Sequence, residues 1–472
     1  FLLSHNMSFG KTSEKGIHMN IITSLLDIED NDLELLSCEV QGLKKIVTLG
    51  SMPTPHFCPQ CFYKMHSRGI KTRTINHPVL QDGYQLIIKL KQRRWRCTNT
   101  DCLYESNEHF KLVNRYRRNT NASDLLILNQ FRNLNCSAVD IARQFHTSDM
   151  HVLNVFDKYI QMDRLPLTDA ISVDEVYLDM DKSCKYALVI QDFYTGDPID
   201  IIHSRLDRVT EPYFSNIPLK ERASVKYLIS DMYNPYLSYV KKYFPNAVSV
   251  VDSFHVMQWL IHSLDMFLRN LQKEYKARDE STRCEIFSKY GHQHRINVSD
   301  EVYLLKKYRW LLLKNQEHLE YRLEPRYDRH FRYFINTFGY EEKFLALHPY
   351  IKVFRDLKEE YVRFNSRNAG NPLKASEEID SLIHKYCSSE YHIFVQFGNL
   401  LRKYKNPIIN SFIMVDRLGP DGIYNSRLSN GPIESLNRKV KDLKRLGRGF
   451  RNFEHMRNRF LFATRKNPIY KG

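Results

Sequence analysis

Nowhere in the 472 residues is there an uninterrupted apolar run of about 18, the length a membrane-crossing helix needs. No secretory signal can be recognised at the amino terminus either. No membrane partner is expected, and a soluble cytoplasmic location is. Acidic residues are in deficit: 54 Asp and Glu stand against 70 Lys and Arg, giving a formal charge of +16 and a pI of about 9.2. That excess favours a polyanionic partner without distinguishing nucleic acid from an anionic surface. The length allows two or more domains and a substantial core.

The nine cysteines are unevenly spread. Cys58-Pro59-Gln60-Cys61 and Cys97-Thr98-Asn99-Thr100-Asp101-Cys102 form two knuckles, each able to give two thiolates to one tetrahedral zinc. In a chain of cytosolic type zinc explains them better than disulfides; free buried thiols are the alternative. Between the knuckles Asp82-Gly83 signals a turn and Gln85–Leu90 a strand. Arg93, Arg94 and Arg96 then lead into the second knuckle, where they can meet phosphates, while Trp95 either wedges against bases or fills a small core. Residues 51–115 are read as this zinc-binding domain. Residues 1–50 are an amino-terminal arm with a packing or assembly role, carrying a short helix at 21–26 and a strand pair over 33–46.

Residues 116–165 are read as the next domain, helical over 121–160. Ser137-Ala138-Val139-Asp140 has capping-box spacing, and Thr147-Ser148 caps a second helix whose apolar face is Val152, Val155, Phe156 and Tyr159. His151, Asn154 and Lys158 are left outward. Two such helices fit a helix-turn-helix reader of the DNA major groove, and equally any packed helix pair.

Three acidic positions organise the remainder. Asp174 ends the apolar run 170–174, Asp231 ends 225–231, and Glu434 opens a helix after Ser429-Asn430-Gly431-Pro432. Strands that end in a carboxylate deliver it to a sheet edge, where open α/β sheets place their chemistry. Converging carboxylates repel unless a divalent cation offsets them, and their hard oxygens suit Mg2+ or Mn2+. Two such ions can activate a water or a 3′-hydroxyl and stabilise a leaving oxygen of a phosphodiester. From Glu434 one helical face continues through Arg438, Lys441 and Arg445, and the opposite face holds Leu436, Val440 and Leu443. A plain surface helix with a Glu434–Arg438 ion pair fits the same spacing. Eleven Lys and Arg residues lie between 438 and 467, Arg448 and Arg451 among them, and read as a DNA track.

The motif Ser429-Asn430-Gly431-Pro432-Ile433-Glu434-Ser435-Leu436-Asn437, followed by Gly449-Phe450-Arg451-Asn452-Phe453, resembles the carboxyl-terminal signature of the ISL3 family of bacterial insertion-sequence transposases. Asp174 and Asp231 resemble that family's catalytic aspartates, Glu434 its glutamate, and Asp252-Ser253-Phe254-His255 an Asp-x-x-His element that supports them. The four cysteines and the 121–160 helices fall where the family has its zinc-binding and helix-turn-helix segments. Where the family often has glycine after the glutamate, this chain has Ser435, which a first helical turn accommodates.

The resemblance implies a multidomain α+β and α/β chain. Its RNase H-like core is opened by a large helical insertion and preceded by the zinc-binding and helix-turn-helix domains. The expected division is 166–255 for the first part of the core, 256–425 for the insertion, and 426–472 for the closing helices and basic tail. It implies two Mg2+ ions held by Asp174, Asp231 and Glu434, with double-stranded DNA as partner in the form of terminal inverted repeats and target. It further implies a homodimer or higher oligomer and association with the bacterial nucleoid. A nuclease that cuts without joining, and a zinc and helix-turn-helix repressor on an inactive core, are the alternatives.

Overall fold

A computed structural model describes residues 30, 32–52, 54–77, 84–180, 182–291, 298–447, 450, 452–468, 470 and 471. The 21–26 helix, the Asp82-Gly83 turn, Arg448 and Arg451 lie outside the described residues. The chain divides into two compact units. One holds Phe1–Asp163, Arg445–Gly449 and Glu454–Gly472 so far as these are described, and the other Arg164–Lys444 and Phe450–Phe453.

In the first unit β1 (Leu33–Gln41) and β2 (Lys44–Ser51) form an antiparallel hairpin that turns at Gly42, where φ is 59°. β3 (Met65–His77) pairs antiparallel with β4 (Gln85–Cys97), which also takes β2 in parallel and the short β5 (Glu105–Asn107). The sheet order is β1-β2-β4-β3, so residues 33–51 belong with the strand that carries the second cysteine knuckle. Leu86, Ile88 and Leu90 alternate onto one buried face of β4, as the period of two dictates, and pack on Leu33, Val47, Leu49, Ile75 and Leu112.

Three helices follow: α1 (Asn121–Gln130), α2 (Ala138–Gln144) and α3 (Asp149–Tyr159). The capping box forms, with Asp140 N donating to Ser137 Oγ at 3.1 Å and Ser137 N to Asp140 Oδ2 at 3.3 Å. Ser148 caps α3 by accepting from His151 N at 3.2 Å. Val152, Val155 and Phe156 are its buried face. The two-residue strand β6 (Gln161–Met162) closes this stretch.

The second unit is built on β7 (Ala170–Tyr177), β8 (Tyr186–Asp192) and β9 (Pro198–Ile202), then α4 (Asp207–Ser215), α5 (Leu219–Ser224), β10 (Tyr227–Ser230), α6 (Asn234–Tyr243) and β11 (Val248–Val251). The sheet order is β11-β10-β7-β8-β9. β7, β8 and β9 are antiparallel neighbours, while β10 runs parallel to both β7 and β11. That is the strand order and direction expected of an RNase H-like core. β7 does not stop at Asp174: Val176 and Tyr177 go on pairing with Ala187 and Tyr186 of β8, and Val176 is buried.

Beyond β11 the chain enters α7 (Ser253–Tyr290), 38 residues long, which buries Val256, Leu260, Leu264, Leu268 and Leu271 on one stripe and ends at Gly291 with φ 70°. α8 (Asp300–Lys307) and α9 (Trp310–Leu313) are separated by a break at Tyr308-Arg309. A hairpin of β12 (Arg326–Asp328) and β13 (Tyr333–Ile335) precedes α10 (Thr337–Ala346), α11 (Pro349–Arg367), α12 (Pro372–Cys387), α13 (His392–Lys403) and α14 (Lys405–Asn410). Their common core includes Leu264, Leu311, Phe354, Tyr361, Phe397 and Leu401. A second hairpin, β14 (Met414–Gly419) with β15 (Gly422–Arg427), leads to α15 (Gly431–Leu446). The insertion is thus mainly helical but carries two strand pairs.

α16 (Phe453–Thr464) and β16 (Tyr470–Lys471) follow, and β16 pairs with β6 within the first unit. This changes the reading of the basic block. Arg459 is only 2% exposed and donates to the carbonyls of Phe131, Asn133 and Cys136 at the end of α1; Arg465, 1% exposed, donates to Asp163 O at 2.8 Å. Both satisfy backbone carbonyls that would otherwise be orphaned, so neither faces a DNA track.

Candidate active site

The parallel register sets two carboxylates side by side. The last pair between β7 and β10 is Ser172 with Ile229, and Asp174 and Asp231 each lie two residues further along their own chains. Asp174, Glu175 and Asp231 each place a carboxylate oxygen within 4.8 Å of the others. Glu175 is offset locally: its Oε1 is 2.7 Å from Arg205 Nη1, and its Oε2 accepts from the Tyr236 hydroxyl at 2.6 Å. Among the described residues Asp174 has no cation so close. Burial lifts its carboxyl to about 7, and the Glu175 and Asp231 charges push the same way.

Glu434 comes from the first turn of α15, whose start is held by Asp252. Asp252 Oδ1 caps α7 through Phe254 N at 2.9 Å, while Oδ2 accepts from Asn430 N at 2.8 Å. Asn430 O then accepts from Glu434 N at 3.0 Å. One buried carboxylate therefore joins the starts of both helices. Glu434 itself stands outside the three-carboxylate cluster, with its Oε1 3.4 Å from His255 Nε2. That contact is an ion-pair distance without hydrogen-bond alignment, since His255 Nε2 is buried with no hydrogen-bond partner. The Glu434–Arg438 pair does not form among the described residues, and Arg438 and Lys441 are exposed opposite buried Leu436, Val440 and Leu443. Arg445 is exposed on the same helix.

Asn437 was not evident as a site residue. One turn beyond Glu434, its Nδ2 donates to Asp174 Oδ2 at 2.8 Å and to Glu175 O at 3.3 Å, and its Oδ1 is buried without a partner among the described residues. The i,i+3 spacing from Glu434 was the available signal. Glu175 was legible as the neighbour of Asp174; Arg205 and Tyr236 carried none.

The donor set suits a hard divalent cation: clustered carboxylate oxygens, one held well above its ordinary range by burial, beside orphaned polar atoms of Asn437 and His255. A family model described as a transposase, that of the ISL3 group of DDE transposases, matches residues 171–460, more than half of the chain. The chain belongs to the ISL3 transposase family. No curated protein matches it. The family match opens within β7 and closes within α16, so all three carboxylates of this ISL3 transposase lie inside it, and the cysteine cluster and α1–α3 lie before it. Among the described residues no helix is long and apolar enough to cross a membrane.

Ahead of the matched region Cys58, Cys61, Cys97 and Cys102 place their sulfurs within 4.8 Å of one another. Cys58 and Cys102 are 3.6 Å apart and Cys61 and Cys97 3.4 Å, too long for disulfides. A tetrahedral zinc with bonds of about 2.3 Å needs roughly 3.8 Å between sulfurs. Each knuckle turns through a left-handed residue, Phe62 (φ 60°) or Leu103 (φ 48°). The Tyr63 backbone N–H helps to draw the Cys61 thiol down to about 7. Trp95 fills the small core beside these cysteines and stacks on His56 at 5.0 Å between centroids. Arg93 is bound to Glu108 and Arg96 lies 3.6 Å from Glu105, leaving Arg94 exposed. On α3, His151 Nε2 is 3.0 Å from Asn119 Nδ2, whereas Asn154 and Lys158 are exposed.

Proposed function

We propose that this chain is the DNA transposase of a bacterial insertion sequence, cutting at the element's terminal inverted repeats and joining the freed ends to target DNA. The observation that carries the reading is the meeting of Asp174 and Asp231 beyond one parallel strand pair, with the Glu434 helix hydrogen-bonded to Asp174 through Asn437. Asp174, Asp231 and Glu434 would hold Mg2+ or Mn2+, two ions per site, whose chemistry there is to activate an attacking oxygen and stabilise a leaving one.

The residues orient and hold. Asn437 fixes the Asp174 carboxylate, Asp252 fixes where the Glu434 helix begins, and Arg205 with Tyr236 keeps Glu175 from adding an unpaired charge. In the first reaction water attacks phosphorus and the bond to O3′ breaks, leaving a 3′-hydroxyl and a 5′-phosphate. In the second that hydroxyl attacks a target phosphodiester, whose own bond to O3′ breaks as the new one forms. Arg438, Lys441 and Arg445, exposed on one helix, would guide the phosphate backbone.

The four cysteines would bind one structural zinc. α2 and α3 would act as the helix-turn-helix reader, with Asn154 and Lys158 toward DNA; His151, already bonded to Asn119, is the weaker candidate for base contact. Two ends must be joined together, so a homodimer is the smallest symmetric assembly. Incubating the chain with a plasmid carrying both element ends, target DNA and Mg2+ should yield 3′-hydroxyl cleavage products and joined products. Cleavage that never proceeds to joining would favour a nuclease, and no cleavage with intact end binding would favour a repressor.

A further inference from the structure

We propose that a groove of about 940 Å3 across β3 and the 104–118 segment seats one sugar–phosphate strand of duplex DNA. This rests on the reading that the chain acts on DNA, and it assigns the phosphate path to Lys71, Arg115 and Arg118 beside Arg94 of β4.

The groove is lined by two acidic residues, Glu105 and Glu108, and both are already answered. Glu105 pairs with Arg68 at 2.6 Å and Arg96 at 3.6 Å, and Glu108 binds Arg93 through its backbone and side chain. Lys71, Arg94, Arg115 and Arg118 line the same groove, are exposed, and have no acidic partner among the described residues. Four cations without counter-charge in one concavity repel one another, and a polyanion relieves that repulsion by displacing condensed counterions from itself. The groove is too small for a whole duplex but open enough for one backbone strand. Tyr116, 86% exposed at φ 67° with the Arg115 guanidinium 5.0 Å over its ring, offers an apolar face to a sugar beside the cations. The same segment leads directly into α1, so the strand held here would continue toward α2 and α3 within the same unit.

The test is binding of the full chain to a duplex bearing an element end, without added Mg2+, across a salt series. Replacing Lys71, Arg94, Arg115 and Arg118 by Ala should weaken affinity at least ~10-fold and reduce the slope of log K against log salt by roughly 3 to 4, about 0.9 per lost phosphate contact. Tyr116→Ala should weaken binding and leave the slope unchanged. Zinc content and thermal unfolding report whether the fourfold variant is folded; if it is not, Arg94→Glu alone should lower the slope by about 1. An unchanged slope in folded variants would overturn the groove even where end joining proceeds normally. A steep wild-type slope that falls as described, in a chain that never joins ends, would keep the groove and overturn the transposase reading.

Discussion

Asn437 Nδ2 donates to Asp174 Oδ2 across 2.8 Å, so the helix that carries Glu434 is hydrogen-bonded to the carboxylate at the centre of the acidic cluster. The contact fixes the Asp174 rotamer from outside its own strand. Asn437→Ala should therefore slow single-turnover cleavage by about 10- to 100-fold, the range seen when a supporting hydrogen bond to a metal ligand is lost, and leave the DNA dissociation constant unchanged. Equal cleavage rates in the variant and the parent would remove Asn437 from the positioning role.

The raised Asp174 carboxyl makes a prediction about pH. Its ordinary value of 3.8 moves to about 7 in the folded chain, mainly by burial, so the native state holds the proton more tightly than the unfolded state. The stability this group contributes is fully present below 3.8 and is lost as pH rises to about 7. Above that the ionised group opposes folding by an amount on the order of 4 kcal/mol at most. Without added Mg2+, Asp174→Asn should raise Tm at pH 8 and change it little at pH 4. A gain of equal size at both pH values would contradict the burial account.

Removing zinc should act locally. The small core of Cys58, Met65, Trp95 and Cys97 is the apolar support of the two knuckles, too little to hold them unaided. Elemental analysis should find roughly one zinc per chain in the parent and none in the Cys58→Ser, Cys61→Ser double variant, in which proteolysis within 52–107 should increase with β7–β11 still protected. Retained zinc in that double variant would show the wrong ligands were chosen.

Arg459 gives a contrast with the exposed cations of α15. Its guanidinium is buried, which lowers its pKa to about 10, and it holds the Phe131, Asn133 and Cys136 carbonyls. Arg459→Ala should destabilise the first unit by roughly 3 kcal/mol, because hydrogen bonds from a charged donor are lost and carbonyls are left unpaired. Arg438→Ala should leave Tm within a degree or so of the parent and weaken DNA binding instead. Equal unfolding curves for the parent and the Arg459→Ala variant would return Arg459 to the surface.

Local patterns made much of this legible. Ser137 to Asp140 set the start of α2, the apolar run ending at Asp231 marked the strand before it, and the cysteine spacings marked one cluster. What stayed hidden depends on contacts distant in sequence. The end of β7 could not be read at Asp174, because pairing with β8 carries the strand on to Tyr177. Nor could the burial of Arg459 and Arg465, since an arginine that caps a remote carbonyl has the same letter as one that meets a phosphate. The pairing of Glu434 with His255 likewise arises from two helices, remote in sequence, whose starts Asp252 joins.

The central claim is that Asp174, Asp231 and Glu434 act as one metal-dependent site for joining DNA. The most direct measurement supplies pre-cleaved element ends, target DNA and Mg2+ or Mn2+, and compares the parent with Asp174→Asn, Asp231→Asn and Glu434→Gln. All three variants should bind ends like the parent yet yield no joined product. Joining that survives Glu434→Gln would contradict the account and place the third carboxylate elsewhere.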